Sequence, residues 1–403
     1  MNQRLLSFLV LITIVLSSCF WSSLALNISP WRSYNPLWLS GVFIFLLLKG
    51  KTKHEYSDPF EKVVLCTLAS LYFSIVTSYV LYNQGFVSSL FNITQLCYGF
   101  LLYFVLKKYN TKPLSIIKCI TFFSVVWVVF EIGQQFTYPT FWFSRSSTPE
   151  MRMGLYRYYI WGVDYVMIAM CYWWGTIMKN LSFKNKKLVL LCIILAAGLM
   201  CYCSRKHIYA TLLVVALSFL SMRGKYKVTG RFCILAIVAF LFYNYANDFI
   251  ETNEKLNEMQ GGEGEDFIRM LEFKYFTSDF LRTPFEYMFG VGIPELTTSM
   301  GQELERLKDM YGFYQSDIGV FGFYTQFGIF GIVPIVMYIL IFLKNWRYID
   351  NQYRYFFLMK LLLIVFDFWA MWGVGMVAWA LFMYLVNQNI KENKEKKIKI
   401  ALI

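Results

Sequence analysis

Apolar runs long enough to cross about 30 Å of hydrocarbon recur along nearly the whole chain, and no other feature restricts its fold as strongly. A backbone in lipid must satisfy its own N–H and C=O groups, so each run is expected to form a helix. The candidate spans are 5–26, 36–48, 62–82, 86–106, 114–135, 158–178, 187–203, 205–222, 231–247, 316–343, 355–368 and 370–387. They predict an all-α, polytopic membrane protein of about 12 transmembrane helices, with residues 1–403 forming one membrane domain. A single large external loop, 248–315, partly helical, falls between spans 9 and 10. The second span is barely long enough and the last two are short and nearly continuous, so the count carries a margin of about one.

Composition agrees: 58% of the 403 residues are hydrophobic and 16% charged. The run behind Arg4 continues past Cys19 to spanning length, so a retained helix is the expectation rather than a cleaved signal. The nine cysteines sit within or at the ends of apolar segments, with no paired spacing that suggests a disulfide framework or zinc site. His54 and His207 are the only histidines, too few for a histidine-rich metal centre.

Basic residues fall in alternate connections: Lys49, Lys51 and Lys53; Lys107, Lys108 and Lys112; Lys179, Lys184, Lys186 and Lys187; Arg223, Lys225, Lys227 and Arg231; Lys344, Arg347 and Arg354. The positive-inside rule places them all in the cytoplasm, together with both termini. The net charge of +13 is therefore mainly a topology signal and not a nucleic-acid footprint. The 248–315 loop then lies outside, where its fourteen acids and six bases give −8, against +21 for the rest of the chain.

Some cations break this alternation. Ser204-Arg205-Lys206-His207 sits in a connection assigned to the outside, where a basic cluster either snorkels to headgroups or binds an anion. Lys206 suits snorkelling better, yet it remains a binding candidate. The outer connection 136–157 holds Arg145, Arg152 and Arg157 among aromatics including Tyr138, Trp142 and Tyr156. Guanidinium forks suit phosphate and flat rings suit sugars, although interfacial belts also use Tyr and Trp. Arg269 and Arg282 add two more guanidinium groups in the long loop.

The intramembrane acids are Glu131 and Asp164, with Asp367 near an outer end and Asp317 where the long loop re-enters. For Glu131 and Asp164, an internal ion pair to an arginine and a functional role weigh about equally. Asp317 suits either chemistry or the capping of the helix that follows.

Three elements occur in order between about Leu188 and Phe342: Ser204-Arg205 after an apolar run; Arg269 followed by Pro284-Phe285-Glu286-Tyr287-Met288-Phe289-Gly290-Val291-Gly292; and Asp317 ahead of Gly328-Ile329-Phe330-Gly331. In this the chain resembles O-antigen polymerases and the related O-antigen ligases. The ligases look to carry His-Asn where this chain has Asp317-Ile318, so the resemblance favours a polymerase. It implies a bacterial plasma (inner) membrane glycosyltransferase acting at the outer face on undecaprenyl-pyrophosphate-linked oligosaccharide, alongside membrane lipids and a chain-length-regulating membrane protein.

The implied chemistry assigns leaving-group stabilisation to Arg205 and Arg269 and acceptor activation to Asp317. Arg145, Arg152, Arg157, Arg282, Lys206 and Tyr156 are the substrate-binding candidates. No Asp-x-Asp pair stands in the outer loops, so metal independence is expected and no cofactor is implied. A ligase acting on a lipid A core and a transporter of a lipid-linked oligosaccharide remain the alternatives.

Overall fold

The structure, a computed structural model, describes residues 2–18, 31–49, 58–140, 142–143, 150–152, 154–158, 160–180, 185–220, 228, 230–232, 234, 268–368 and 371–401. Within them the regular secondary structure is helical apart from one small hairpin. In order come α1 (Gln3–Ser18), α2 (Trp31–Leu48), α3 (Pro59–Tyr82), α4 (Phe86–Lys108), α5 (Pro113–Gln135), α6 (Val163–Asn180), α7 (Lys186–Cys201) and α8 (Arg205–Leu220). After a gap in the described chain follow α9 (Ile268–Lys274), α10 (Pro284–Phe289), α11 (Ser299–Tyr311), α12 (Val320–Lys344), α13 (Asn351–Leu363) and α14 (Gly373–Ala401). The hairpin pairs β1 (Glu150–Arg152) with β2 (Leu155–Arg157), antiparallel, with Glu150 opposite Arg157.

This is an all-α membrane protein, but the expected twelve crossings are not reached. Four described helices, α3, α4, α5 and α12, are long and apolar enough to span, and Gln3–Ser18, Tyr34–Leu48 and Lys206–Phe219 are shorter apolar helices. The shortfall has visible causes. The expected ninth span, 231–247, lies outside the described residues except for 231, 232 and 234. The expected 355–368 run is helical only to Leu363, where α13 ends after 13 residues. In α6 the apolar run is interrupted by Asp164 in the first turn and Lys179 in the last.

Local chemistry explains the helix ends. Asp58 caps α3 by accepting from the Phe60 N–H at 2.9 Å, with Pro59 at the first position. Pro113 opens α5 in the same way. Thr283 and Glu286 form a reciprocal capping box at α10.

Two hydrophobic cores result. The main one joins α4 to α2, α3 and α14, and α6 to α5, α7 and α13. A separate cluster of Phe276, Phe280, Leu281, Val291, Met300, Leu307, Phe313 and Ile318 lies in the 268–318 segment, which is therefore a folded cap rather than a loose loop. The cap joins the bundle where α10 packs on α12 and α3.

At that junction α12 is broken. Gly328 takes φ 62° and ψ −164°, a conformation open in practice to glycine alone. The carbonyls of Thr325 and Gln326 accept instead from the N–H groups of Val291, at 3.0 Å, and Gly292, at 2.8 Å. A Cβ on Gly290 would lie 2.2 Å from the Gln326 carbonyl, and one on Gly328 would lie 2.3 Å from the Met288 oxygen. The two glycine elements are thus the two sides of one backbone contact. Irregular backbone within an apolar helix survives only when its polar groups find such partners.

Candidate functional site

Three segments meet where α8 begins. Lys206 Nζ lies 3.5 Å from Asp367 Oδ1 and donates to the Phe366 carbonyl at 3.1 Å. His207 Nε2 lies 2.9 Å from Asp367 Oδ2, and its Nδ1 shares a 2.7 Å hydrogen bond with Ser204 Oγ. Both Ser204 and His207 are buried. Lys206, expected to snorkel, is instead tied to the turn after α13, because a carboxylate and a carbonyl lie within reach of its ammonium.

The same turn supports the segment bearing Asp317. Val320 N–H donates to the Ile364 carbonyl at 2.9 Å, and a Cβ on Gly319 would lie 2.4 Å from the Val365 oxygen. Asp317 therefore stands on a short 3₁₀ turn, Gln315–Ile318, backed by the stretch that leads to Asp367. The capping alternative is not realised: Gly319 is the N-cap of α12 and no side chain caps it. Asp317 is half-buried, with Ser316 Oγ 3.5 Å from its carboxylate.

Helix α9, opened by Ile268 and Arg269, packs on this 3₁₀ turn, and Glu272 accepts from the Tyr314 N–H ahead of it. The structure thus brings together the backbones that carry Arg205, Arg269 and Asp317. The side chains of Arg205, Arg269 and Arg152 lie outside the described part of the structure, as does the whole of Arg145.

A second group of charges adjoins the first. Lys360 on α13 and Asp164 on α6 form a buried ion pair. Here Asp164 meets a lysine rather than the expected arginine. Glu131, 0% exposed near the end of α5, has no hydrogen-bond partner on either oxygen among the described residues, while the Arg157 guanidinium acts on it electrostatically. The Tyr202 phenol lies within the electrostatic reach of Arg157, Asp367, Glu131 and Asp164, so the hairpin, α5, α6 and the α8 turn share one polar region. The Tyr202 ring also meets His207 edge-on at 5.7 Å.

Arg157 reaches this region because its hairpin is pinned to α5. Gln135 accepts from the Tyr156 N–H at 2.9 Å and donates to the Tyr156 carbonyl at 2.7 Å, and Tyr158 Oη donates to the Gln134 carbonyl at 2.8 Å. The Tyr156 ring is stacked on Tyr138 at 3.8 Å and 8°.

Arg282 is exposed and lies apart, on the side of the cap next to α3. Its N–H and that of Thr283 donate to Glu286 Oε2 at 2.6 and 2.7 Å, and Tyr82 donates to Oε1. Burial pushes the Glu286 carboxyl up, but these hydrogen bonds outweigh it and hold the group below the ordinary carboxylate value.

Sequence reasoning misses Lys360, Glu272 and Glu286. For Lys360 the missing signal is simple: a lone cation inside one apolar run and a lone acid inside another are each other's natural partners. No metal-holding group of three or more His, Cys, Asp or Glu occurs among the described residues. No family model matches the chain, and no curated protein matches it.

Proposed function

We propose that the protein is a bacterial plasma-membrane glycosyltransferase of the O-antigen polymerase type, extending a surface polysaccharide (O-antigen, capsule or exopolysaccharide) at the outer face. The observation that carries the reading is that the Arg205 turn and the Asp317 turn both meet residues 364–367, with α9 packed against the Asp317 turn. A polar, partly buried cluster of that composition suits a reaction whose main need is to stabilise a departing pyrophosphate.

In the proposed reaction a hydroxyl of the incoming lipid-linked repeat attacks the anomeric carbon of the donor glycan. The bond from that carbon to pyrophosphate breaks, and undecaprenyl pyrophosphate leaves as an anion. Asp317 takes the hydroxyl proton, and Arg205 and Arg269 are assigned to stabilising the charge that develops on the leaving group. Arg157 is assigned to the headgroup, with Arg145 and Arg152 on the same connection. Arg282 is assigned to the rim, and Lys206 acts through Asp367. Both termini are placed in the cytoplasm, from the basic connections. A chain-length regulator in the same membrane is the proposed partner.

The test is purified protein in lipid, given synthetic undecaprenyl-pyrophosphate repeat units. A ladder of longer glycans with released lipid, unaffected by EDTA, is expected. Transport without new glycosidic bonds would remove the enzyme reading, and transfer only to an added lipid A core would establish a ligase. Arg205→Ala and Arg269→Ala should each reduce ladder formation by roughly 10²–10³ while leaving the protein folded.

A further inference from the structure

The stacked pair on the outer connection has one side already used. Tyr156 is partly buried against the main core, its peptide is held by Gln135 and one ring face is covered by Tyr138, so little of it is left for a sugar. Tyr138 gives one face to Tyr156 but is the more exposed of the two rings. It is 47% exposed, held flat by the ring behind it, and Trp142 on the same connection is 48% exposed. A lone exposed tyrosine loses rotamer freedom when a ligand stacks on it, whereas a ring already fixed by a neighbour has little left to lose. The site also continues into the charged region: the Tyr158 phenol is within electrostatic reach of Tyr138, Tyr156 and Glu131.

We infer that Tyr138, backed by Tyr156, is a pyranose-binding platform that holds a sugar ring of the lipid-linked glycan beside the charged region around Arg157. The inference rests on the proposed function for its glycan, but not for its geometry. The flat face receives the C–H side of the ring, and the phenol hydroxyls lie at its edge for the sugar's own hydroxyls. Gln134 and Gln135 serve as positioning residues. Gln134 Oε1 accepts from the Phe143 N–H at 2.6 Å and Gln135 brackets the Tyr156 peptide, so both ends of the connection are fixed to α5.

The experiment is saturation-transfer NMR on the full chain in nanodiscs, with methyl glycosides of glucose, galactose, mannose, N-acetylglucosamine and rhamnose as probes and sorbitol as the acyclic control. Transfer to the ring C–H protons of at least one glycoside, and none to sorbitol, is expected. Tyr138→Ala should abolish it at unchanged melting temperature, and Tyr138→Trp should retain it. Absence of transfer from every glycoside, or equal transfer in wild type and Tyr138→Ala, would overturn the platform. In the ladder assay Tyr138→Ala should raise KM roughly three- to tenfold with kcat retained. A positive NMR result without a ladder would remove the polymerase reading and leave the platform, while a ladder without NMR contact would do the reverse.

Discussion

Lys360 and Asp164 illustrate how single residues bind this bundle together. Each charge is buried, so removing either one takes from the other the partner that offsets its desolvation. Lys360→Met or Asp164→Leu alone is therefore expected to cost about 3–5 kcal/mol, and the double substitution to recover most of it. Thermal unfolding of the three variants in detergent checks this, and simple additivity would mean that the two groups do not interact. Glu286 gives a pH-dependent counterpart in the cap. Its carboxyl is depressed below the ordinary value of 4.5, so its contribution is complete above that value and is lost as pH falls through the lower folded value. Hydrogen exchange of residues 284–289 should show protection decline in that acid window in wild type, and a flat response in Glu286→Gln. The lone acids could be read as sites from sequence because charge is rare in apolar runs. Their partners could not, because choosing between Lys360 and an arginine requires knowing which helices touch.

At the scale of elements, the break in α12 is the clearest link between sequence and structure. The Gly-x-Gly and Gly-x-x-Gly spacings are visible in the chain. Their physical role, a reciprocal backbone approach between residues 290–292 and 325–328, is not visible, because it depends on a contact between segments 35 residues or so apart. Gly328→Ala would place a side chain in a glycine-only conformation and against the Met288 carbonyl, at a cost of about 1–3 kcal/mol from backbone strain alone. It should lower the melting temperature and detach α10 from α12, read as lost protection at residues 284–292. Gly133→Ala on α5, where nothing lies within 4 Å of the added carbon, should change neither. The hairpin was also hidden, since strands of three residues are too short to show alternation.

At the scale of the whole molecule, helical class and membrane residence follow from apolar run length, whereas the crossing count does not. Length alone cannot separate a spanning helix from a short buried one such as α13, whose 13 residues cover only about 20 Å. Sidedness is a stronger inference because it uses an independent property, the distribution of lysine and arginine. It demands that the 136–157 connection and the 268–318 cap share one face, since Arg157 and Asp317 are assigned to one reaction. In a background with the nine native cysteines replaced, single cysteines at the exposed positions Thr137 and Asp309 should react with an impermeant maleimide in intact cells. Cysteines at the exposed Asn110 and Lys397 should react only after permeabilisation. Labelling that put Thr137 and Asp309 on opposite faces would separate the platform from the cap, and no arrangement of the α8 turn could then unite them in a single site.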